Sequence, residues 1–326
     1  MRESSPDPSR GSQLWRAQEG ACGSRLDVYL ADALGESRNQ IQKWVKAGRV
    51  LLDGLAILRP SFRLEGGEEI ECLAPEEGDE ALLAAEDGEL SILWEDQDII
   101  VLDKPAPLAV HPGAGRPDHT LANRLLGRYP EIARVGHPRR PGIVHRLDIG
   151  TTGVMVVARH PEAHRALALA FSDRHVDKIY LALAYGSLAP PAGEIDSPIG
   201  RDPRHRTRMT VSPDGRPAMT HYRTLGAASG VSSLELDIKT GRTHQIRVHL
   251  RSVGHPLVGD PVYGEARWKG LPAPLRPSLR DFPRPALHAW RLTLDHPSTG
   301  ESIRFEAPLP EDLRSLWESL GGGQLS

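Results

Sequence analysis

One carboxylate, that of Asp148, stands in a short polar run between two apolar segments. Residues 142–153 read G-I-V-H-R-L-D-I-G-T-T-G, with apolar residues at 143–144 and again at 154–158. The apolar segments predict buried strands, and the Gly-rich middle predicts a loop held between them. Because loops fixed by rigid strands often carry catalytic groups, Asp148 is a candidate nucleophile. The alternative is an ordinary turn in which Arg146 and Asp148 form a solvated ion pair.

Two further segments carry side chains that could serve such a carboxylate. Residues 178–185 alternate as a strand and contain Tyr180, for which the alternative is a half-buried tyrosine with its hydroxyl at the surface. Residues 232–238 alternate as a second strand, and a Thr-Gly-Arg turn leads from it into a helix over about 245–253. Arg247 lies on that helix and shares one face with the arginine four residues later.

The histidines and cysteines do not suggest a metal site. His244 and His249 lie five residues apart on poorly matched faces of one helix, and no cysteine or carboxylate next to them completes a ligand set. Cys22 and Cys72 are the only cysteines and lie far apart, which excludes a disulfide framework and a cysteine-based zinc site. The chain has no GxGxxG, P-loop or HExxH motif, so no motif in it supports a nucleotide-cofactor or zinc-protease function.

Length and composition predict a globular protein with one large and one small domain. The chain has 326 residues, more than one average domain, and its contents of 39% hydrophobic and 25% charged residues are typical of soluble proteins. Apolar runs stay well short of the roughly 20 residues that span a bilayer. The first 20 residues are polar and contain no apolar stretch typical of a secretory signal, so we expect a cytoplasmic protein.

Although the net charge is −3, the charges are unevenly distributed and one region is strongly basic. Acidic residues dominate 75–103, whereas 201–251 contain ten basic residues and four acidic ones. A basic surface can therefore coexist with a nearly neutral total and could accept a nucleic-acid backbone. The basic residues are Arg201, Arg204, Arg206, Arg208, Arg216, Arg223, Lys239, Arg242, Arg247 and Arg251.

Residues 23–74 have the pattern of a compact module. A short amphipathic helix is predicted at its start, and Ser37 with Gln40 forms a capping box that opens a second helix ending at Gly48. A hairpin should follow, because two short apolar runs flank Asp53-Gly54, a dipeptide that fits a type I′ turn. A further strand is predicted just before the module ends.

The chain is therefore predicted to have four parts. Residues 1–22 are expected to be a disordered extension, 23–74 the small module, 75–88 an acidic linker and 89–326 a large domain. Within the large domain, strands are predicted at 90–94, 99–102, 287–294 and 303–305, and helices at 120–126, 161–171 and 311–320.

Several runs together resemble the RluA-type pseudouridine synthases. Residues 142–153 are similar to that family's H-R-L-D-x-x-T-[ST]-G signature, and 102–115 (L-D-K-P-A-P-L-A-V-H-P-G-A-G) resemble the opening motif of its catalytic domain. Residues 178–180 (K-I-Y) are similar to its K-x-Y motif, and 240–250 (T-G-R-T-H-Q-I-R-V-H-L) resemble its third motif. The chain departs from the family directly after Asp148, where Ile and Gly replace the usual Lys or Arg and Asp.

The small module resembles the S4 RNA-binding domain that many of these enzymes carry. The resemblance rests on R-L-D at 25–27 and on S-R-N-Q-I-Q-K-W-V-K-A-G-R-V at 37–50. It implies that basic side chains of the second helix and the hairpin face RNA, while the alternative is a charged, solvated helix face. The side chains in question are Arg38, Lys43, Lys46 and Arg49.

The family resemblance also implies roles for the candidate site residues. Asp148 would attack the target nucleotide, Arg247 would pair with it, and Tyr180 would stack on the uracil while its hydroxyl serves a proton transfer. Arg146 would fill the space that the flipped nucleotide leaves in the RNA, or hold the displaced bases. Further substrate contacts are implied for His145, Arg242, Thr243, His244 and Gln245.

The implied protein is α+β, with a mixed, largely antiparallel sheet in the catalytic domain behind a small S4-like module. The implied reaction is the isomerisation of uridine to pseudouridine in RNA without metal or cofactor. The runs at 111–115 and 257–264 (L-V-G-D-P-V-Y-G) resemble family members that act on large-subunit ribosomal RNA. That RNA or a pre-ribosomal particle is therefore the expected partner, and we expect a monomer.

Two other classes of function remain open on the sequence. A carboxylate-based glycosidase would need a second acid opposite Asp148, and no motif supplies one. A ribosome-assembly factor without catalytic activity would use only the S4-like module and the basic region to bind RNA.

Overall fold

The protein divides into two compact units, and a computed structural model describes most of each. Residues 12–17, 21–34, 36–73, 83–113, 115–205 and 207–322 are described. The small unit extends to Leu82 and the large unit begins at Leu83. Among the described residues, no helix combines the length and the apolar character needed to cross a membrane.

The small unit packs two helices beside a four-stranded antiparallel sheet. Its elements are β1 (Ser12–Arg16), α1 (Leu26–Leu34), α2 (Arg38–Lys46), β2 (Val50–Leu52), β3 (Leu55–Ala56) and β4 (Glu69–Leu73), and the strand order is β1-β4-β2-β3. Ser37 caps α2 as predicted, because its hydroxyl accepts the N–H of Gln40 at 3.3 Å. Asp53 and Gly54 both have positive φ, 49° and 80°, which confirms the type I′ turn.

Strand β1 lies inside the segment predicted to be disordered, so that prediction is wrong for residues 12–16. The strand pairs with β4 from Ser12 opposite Leu73 to Arg16 opposite Glu69. Its partner is more than fifty residues away in the sequence, and a local pattern cannot reveal such a non-local pairing. Residues 1–11 and 18–20 of the predicted extension lie outside the described residues.

The predicted linker also ends earlier than residue 88. Leu83 is buried in the core of the large unit, Asn123 Nδ2 donates to the carbonyl oxygen of Ala84 at 2.8 Å, and Glu86 N donates to that of Asn123 at 3.1 Å. One leucine and a few backbone groups attach this acidic segment, and its composition alone did not reveal the attachment. Residues 74–82 lie outside the described residues.

The large unit is built on one long sheet. The strands of the unit are β5 (Ser91–Glu95), β6 (Ile99–Lys104), β7 (Gly136–His137), β8 (Arg140–Pro141), β9 (Thr152–Ala158), β10 (Asp177–Tyr185), β11 (Ala192–Asp196), β12 (Ile199–Arg201), β13 (Met209–Val211), β14 (Met219–Ala228), β15 (Val231–Ile238), β16 (Leu287–Asp295) and β17 (Ser302–Glu306). Strands β7 and β8, and β12 and β13, pair in two small separate sheets. Its α-helices are α3 (Leu121–Arg128), α4 (Pro161–Ser172), α5 (Gln245–Ser252), α6 (Arg276–Arg280) and α7 (Glu311–Ser319). The helices predicted in this region all form, with ends shifted by a few residues.

The strand order of the main sheet is β11-β14-β15-β10-β16-β9-β6-β5, and β17 pairs with β16. Neighbouring strands are antiparallel except β9 and β16, which pair in parallel where Thr152 and Gly153 face His288 and Ala289. The expected α+β fold with a mixed, largely antiparallel sheet is therefore confirmed.

Strand β9 lies inside this sheet, between β16 and β6, and all of its residues are buried. Gly153 makes the close parallel pairing possible, because a Cβ atom there would lie 2.1 Å from the carbonyl oxygen of Ala289. The loop that carries Asp148 runs directly into this strand, so the candidate nucleophile is attached to the most enclosed part of the sheet.

Candidate active site

Asp148 lies in the loop before β9, and the loop is closed by its own backbone. Thr151 N donates to the carbonyl oxygen of Asp148 at 3.0 Å, which forms the turn after the carboxylate. The strand predicted at 143–144 is wrong, because this two-residue apolar run forms only one bridge, between Ile143 and Val157. On its entry side the loop is held at Gly142, whose N–H donates to the carbonyl oxygen of Val135 at 2.7 Å and whose carbonyl oxygen accepts the N–H of Ala158 at 2.9 Å.

Lys104 lies against this loop and is fully buried. Its Nζ donates to the carbonyl oxygens of Pro105 at 2.7 Å and Leu108 at 2.9 Å, and it lies 3.5 Å from that of Ile149. Burial lowers the pKa of the Lys104 ammonium to about 7, and the negative charge of Asp148 opposes this decrease. One amine thus connects the opening motif to the residue that follows the candidate nucleophile.

Arg284 holds the other side of the turn. Its Nε and Nη2 each donate to Asp312 at 2.7 Å, and its Nη1 lies 3.4 Å from the carbonyl oxygen of Gly150. A Cβ atom at Gly150 would meet Cδ of Pro285 at 2.9 Å. Glycine therefore fits here, where the family pattern has aspartate, because a side chain would force the Pro285 ring to move.

Arg247 links Asp148 to a second carboxylate, that of Asp260. Its Nη1 donates to Asp148 Oδ2 at 2.9 Å, while Nε and Nη2 donate to Asp260 Oδ2 and Oδ1 at 2.7 and 2.9 Å. Asp260 Oδ1 also accepts the N–H groups of Val262 and Tyr263, at 2.9 and 3.0 Å. Burial disfavours the charge on Arg247, but its bonds to the two carboxylates outweigh this and raise its pKa. A permanent positive charge therefore stands beside the candidate nucleophile.

His244 and Tyr263 occupy the space next to this pair. His244 precedes α5 in a left-handed conformation, with φ at 58°. The Tyr263 hydroxyl accepts the N–H of Met209 at 2.8 Å and lies 2.8 Å from His244 Nδ1, so its proton can be donated to that nitrogen. This arrangement leaves the ring proton on Nε2, which lies 3.8 Å from Asp148 Oδ2. Burial lowers the pKa of His244 and favours the neutral ring.

Tyr180 forms a wall of the pocket that opens onto Asp148. The space in and above the pocket is about 530 Å³, open solvent at its mouth included, and its lining includes Asp148, Tyr180, Arg247 and the apolar side chains of Ile238 and Leu287. Burial, and then the negative charge of Asp148, raise the pKa of the Tyr180 hydroxyl, so the phenol stays protonated at neutral pH.

The residues expected to contact substrate differ in how accessible they are. Arg146 and Thr243 are exposed at the pocket, and Arg242 and His244 are partly exposed there. Gln245 also lines the pocket, but its amide bonds only to the protein. Its Oε1 accepts from Thr240 Oγ1 and Arg242 N at 2.7 and 3.1 Å, and its Nε2 donates to Met219 O and Thr220 Oγ1 at 2.8 and 3.0 Å. Gln245 therefore holds the start of α5 in place.

His145 lies beside the pocket rather than in its lining. Its Nε2 accepts the N–H of Val156 at 3.0 Å, and its ring stacks on Phe171 with the centroids 4.5 Å apart. Burial, and then the positive charge of Lys178, lower the pKa of His145 to about 3. The ring is therefore neutral, and its remaining proton is on Nδ1.

The four basic residues expected to contact RNA in the small unit are of two kinds. Lys43 and Lys46 are exposed on α2. Arg38 is exposed as well, but its Nε donates to Asp27 Oδ2 at 3.0 Å and so helps to join α2 to α1. Arg49 is half-buried directly before β2.

Four site residues were missed from the sequence: Lys104, Asp260, Tyr263 and Arg284. Lys104 lies in the opening motif at 102–115, and Asp260 and Tyr263 lie in the run at 257–264, so a signal for these three was present. The resemblance of both runs to the family indicates membership but assigns no role to these three side chains. Arg284 lies in no such run, and its role follows only from the way α7 and the Asp148 loop meet around it.

One group of possible metal ligands occurs among the described residues, away from this pocket. Carboxylate oxygens of Asp96 and Asp98 and a ring nitrogen of His296 lie within 4.8 Å of one another. Thr299 N donates to His296 Nδ1 at 3.2 Å, so the ring proton is on Nε2, which donates to Asp96 Oδ2 at 2.8 Å. His296 therefore offers no free lone pair to an ion in this arrangement, and the expectation of a metal-free protein stays a prediction.

The chain is similar to known proteins over most of its length. The RNA pseudouridylate synthase family matches residues 98–252, and the S4 domain matches residues 24–70. Ribosomal large subunit pseudouridine synthase D of Xanthomonas campestris pv. campestris is 47% identical over 305 residues, which cover 93% of this chain and 90% of that protein. The protein of the same name from Pseudomonas aeruginosa is 46% identical over 299 residues, which cover 90% of this chain and 91% of that protein.

A solved structure shares the fold. Human RNA Pseudouridylate Synthase Domain Containing 4 superposes with a TM-score of 0.56 and 28% identity, covering 71% of this chain and 93% of that one. The family resemblance inferred from the motifs and the S4-like character of the small module are thereby confirmed.

Proposed function

The chain belongs to the RNA pseudouridylate synthase family, and on that premise we propose that it isomerises particular uridines of large-subunit ribosomal RNA at the Asp148 pocket. The observation that carries this proposal is the ion pair of Asp148 and Arg247, 2.9 Å long, at a pocket walled by Tyr180. The enzyme is an RNA pseudouridine synthase, so the remaining questions are which residues do the chemistry and on which RNA.

Asp148 is the residue that begins the reaction. Isomerisation breaks the N1–C1′ bond, turns the uracil and forms a C5–C1′ bond; C5 loses a proton and N1 gains one, so there is no net gain or loss of atoms. Arg247 engages only Oδ2, and no described residue forms a hydrogen bond with Oδ1. Oδ1 is thus the oxygen available to the sugar, whether the reaction passes through a covalent adduct or through deprotonation at C2′.

Tyr180 is suited to hold the detached uracil. Its phenol ring lines the same pocket as Asp148, and a flat base gains stacking energy on such a ring. Its hydroxyl is protonated at neutral pH, so it can take the C5 proton only by passing its own proton on. Asp148, which lines the same pocket, is the carboxylate proposed to receive that proton.

Arg146 lies at the opening of the pocket. It precedes the nucleophile by two residues and its side chain is exposed. A uridine in folded RNA must leave its helix or loop to reach Asp148. Arg146 is placed to enter the space that the flipped nucleotide vacates, and this role rests on the family resemblance.

The substrate assignment rests on the relatives named above, which are pseudouridine synthases of the large ribosomal subunit. Ribosomal RNA from a strain that lacks this protein should miss one or more pseudouridines in its large-subunit RNA, and adding back the gene should restore them. An unchanged modification map would reject this substrate. Action on ribosomal RNA implies a cytoplasmic enzyme, and monomeric state stays a prediction.

Release of tritium from RNA labelled at C5 of uridine tests the reaction itself. Isomerisation requires this release, whereas an assembly factor that only binds RNA would give none, and a glycosidase would give free uracil. Asp260 is the other carboxylate next to Arg247, and its oxygens are bound to that guanidinium and to backbone N–H groups. It is not free to act as a second glycosidase acid, which further favours isomerisation.

A further inference from the structure

A second recess, which we call the Phe171 groove, runs beside the catalytic pocket. It is lined by Arg140, His145, Phe171, Arg174, Lys178 and Lys239 among others. Arg146, Tyr180 and Arg242 line both the groove and the pocket. A strand of RNA whose nucleotide occupies the pocket can therefore continue into this groove, and the groove presents mainly positive charge to it.

Lys178 is the most enclosed cation of the Phe171 groove. Only 8% of the residue is exposed, and its Nζ lies 5.8 Å from the centroid of the Phe171 ring. Among the described residues, none forms a hydrogen bond or an ion pair with this ammonium group. Burial lowers its pKa, and the charges of Asp237 and Asp177 oppose this only in part. Such a group gains strongly from an incoming anion.

The nearest acidic side chains are already used by another lysine. Lys239 Nζ lies 3.1 Å from Asp177 Oδ1 and 3.0 Å from Asp237 Oδ2. Lys178 and Lys239 thus line the same groove but differ in one respect, because only Lys239 lies within ion-pair distance of these carboxylates, which act on Lys178 from further away.

His145 adds a neutral donor to the same recess. Its Nε2 is occupied by the N–H of Val156, so its ring proton is on Nδ1. No described residue accepts that proton, and the ring contacts Phe171 on the groove side. A buried ammonium and an imidazole N–H in one recess are the donors that bind a phosphate group.

We propose that Lys178 is the centre of a phosphate subsite, and that it binds a backbone phosphodiester of the RNA strand next to the nucleotide held against Tyr180. The inference rests on the proposed function, because it takes the occupant of the pocket to be a nucleotide of RNA. Tyr180 and Lys178 are two residues apart on β10 and therefore project from the same face of the sheet. Base capture and phosphate binding are then coupled by one strand.

Salt-dependent binding of large-subunit ribosomal RNA transcript tests this subsite. The affinity of the full-length protein for this RNA is measured at salt concentrations from about 50 to about 200 mM, because the slope of log K against log salt reports the number of phosphate contacts. Loss of one phosphate contact should reduce the slope of log K against log salt by about 0.7–0.9. Lys178→Met, which keeps most of the side-chain length, should show this decrease and bind about threefold to tenfold more weakly at low salt.

Lys269→Met is the control, since it removes a lysine charge at an exposed position that lines neither the groove nor the catalytic pocket. Its slope and affinity should stay close to those of the unaltered protein. Lys178→Arg should restore most of the lost slope. Equal losses for both methionine variants, or an unchanged slope for Lys178→Met, would overturn the proposal.

Two checks separate other causes of failure. If Lys178→Met melts at a much lower temperature, Lys178→Gln provides the same test. A loss of affinity without a change of slope in either variant counts against the subsite. Tritium release by the unaltered enzyme is measured on the same RNA. Binding without release would reject the proposed function, while the salt slopes would still decide whether Lys178 contacts a phosphate.

Discussion

Asp260 holds Arg247 by two of its guanidinium nitrogens, at 2.7 and 2.9 Å, and leaves the third to face Asp148. The Asp260 side chain is fully buried and is fixed in turn by two backbone N–H groups. The orientation of Arg247 is therefore set before substrate arrives. Preorganised charge of this kind is effective because it needs no rearrangement during the reaction.

Changing Asp260→Asn should lower the single-turnover rate by about 10²-fold, in the range seen when one preorganised group is lost. The amide cannot receive both guanidinium donors, so Arg247 is free to turn away from Asp148. Breaking a buried pair of this type also costs roughly 3–5 kcal/mol of stability. Rate and thermal unfolding are measured side by side. Asp281→Asn is the control, because Asp281 makes a similar two-nitrogen contact with Arg280 at the surface and should change little. A normal rate in Asp260→Asn would show that Arg247 needs no such support.

Changing Asp148→Asn should reduce turnover to background while RNA affinity stays nearly intact. The amide keeps the size of the side chain but is no nucleophile, and Arg247 remains bound to Asp260. The measurements are tritium release and RNA binding on the same preparation. Activity within tenfold of the unaltered enzyme, which corresponds to about 1.4 kcal/mol on the barrier, would assign the chemistry to another residue.

Mild acid should destabilise the large unit through His288. This ring is fully buried, with Nδ1 2.9 Å from Thr152 Oγ1 and Nε2 3.0 Å from the carbonyl oxygen of Ala307. Burial lowers its pKa to about 4. Above about pH 6.5 neither state binds the proton, whereas between about 6.5 and 4 only the unfolded chain does, so stability falls as the pH falls.

The expected contribution of His288 is a loss of about 2 kcal/mol between pH 7 and pH 5. Urea unfolding of the unaltered protein and of His288→Gln at both pH values measures it. The variant starts less stable, but its decrease between the two pH values should be smaller by about that amount. Substituting the exposed His205 by Gln serves as the control and should leave the pH dependence unchanged. The same decrease in His288→Gln as in the unaltered protein would assign the acid sensitivity elsewhere.

Two fragments test where the large unit begins. A fragment of residues 78–326 keeps Leu83 and the bonds at Ala84 and Glu86, and it should fold as a unit. A fragment of residues 89–326 loses them and should be less stable by roughly 2–5 kcal/mol, the range for removing a buried leucine. Circular dichroism with thermal unfolding compares the two. Failure of the longer fragment to fold would mean that the large unit depends on the small one.

The sequence was sufficient for regular elements and for the residues that carry chemistry in motifs. Helices α2, α4 and α5 have caps or apolar faces that can be read locally, and Asp148, Tyr180 and Arg247 stand in runs that resemble family motifs. Strand β1 could not be predicted in this way, because its pairing with β4 depends on a partner far along the chain.

The supporting residues were harder to predict for a similar reason. Arg284 acts through Gly150 and Asp312, which lie 134 and 28 residues away, so no local pattern connects them. Gln245 shows the opposite case, since its position beside the motif arginine suggested a substrate contact. All of its hydrogen-bonding groups are used by neighbouring protein atoms instead. A position within a motif indicates proximity to the site but not the direction in which a side chain acts.

The last prediction separates the two roles proposed for Tyr180, stacking on the uracil and relay of the C5 proton. Tyr180→Phe keeps the aromatic face, and stacking is worth about 1–3 kcal/mol per base, so RNA binding should persist. Without the hydroxyl the proton has no path toward Asp148, so the final step should slow by roughly 10²–10⁴-fold. Single-turnover reactions with RNA deuterated at C5 of uridine should then show a substantial isotope effect, because C5–H cleavage has become rate-limiting. Tyr180→Leu removes the ring as well and should also bind RNA more weakly. Near-normal turnover in Tyr180→Phe would reject the proton relay, and equal binding losses in both variants would reject stacking on the ring.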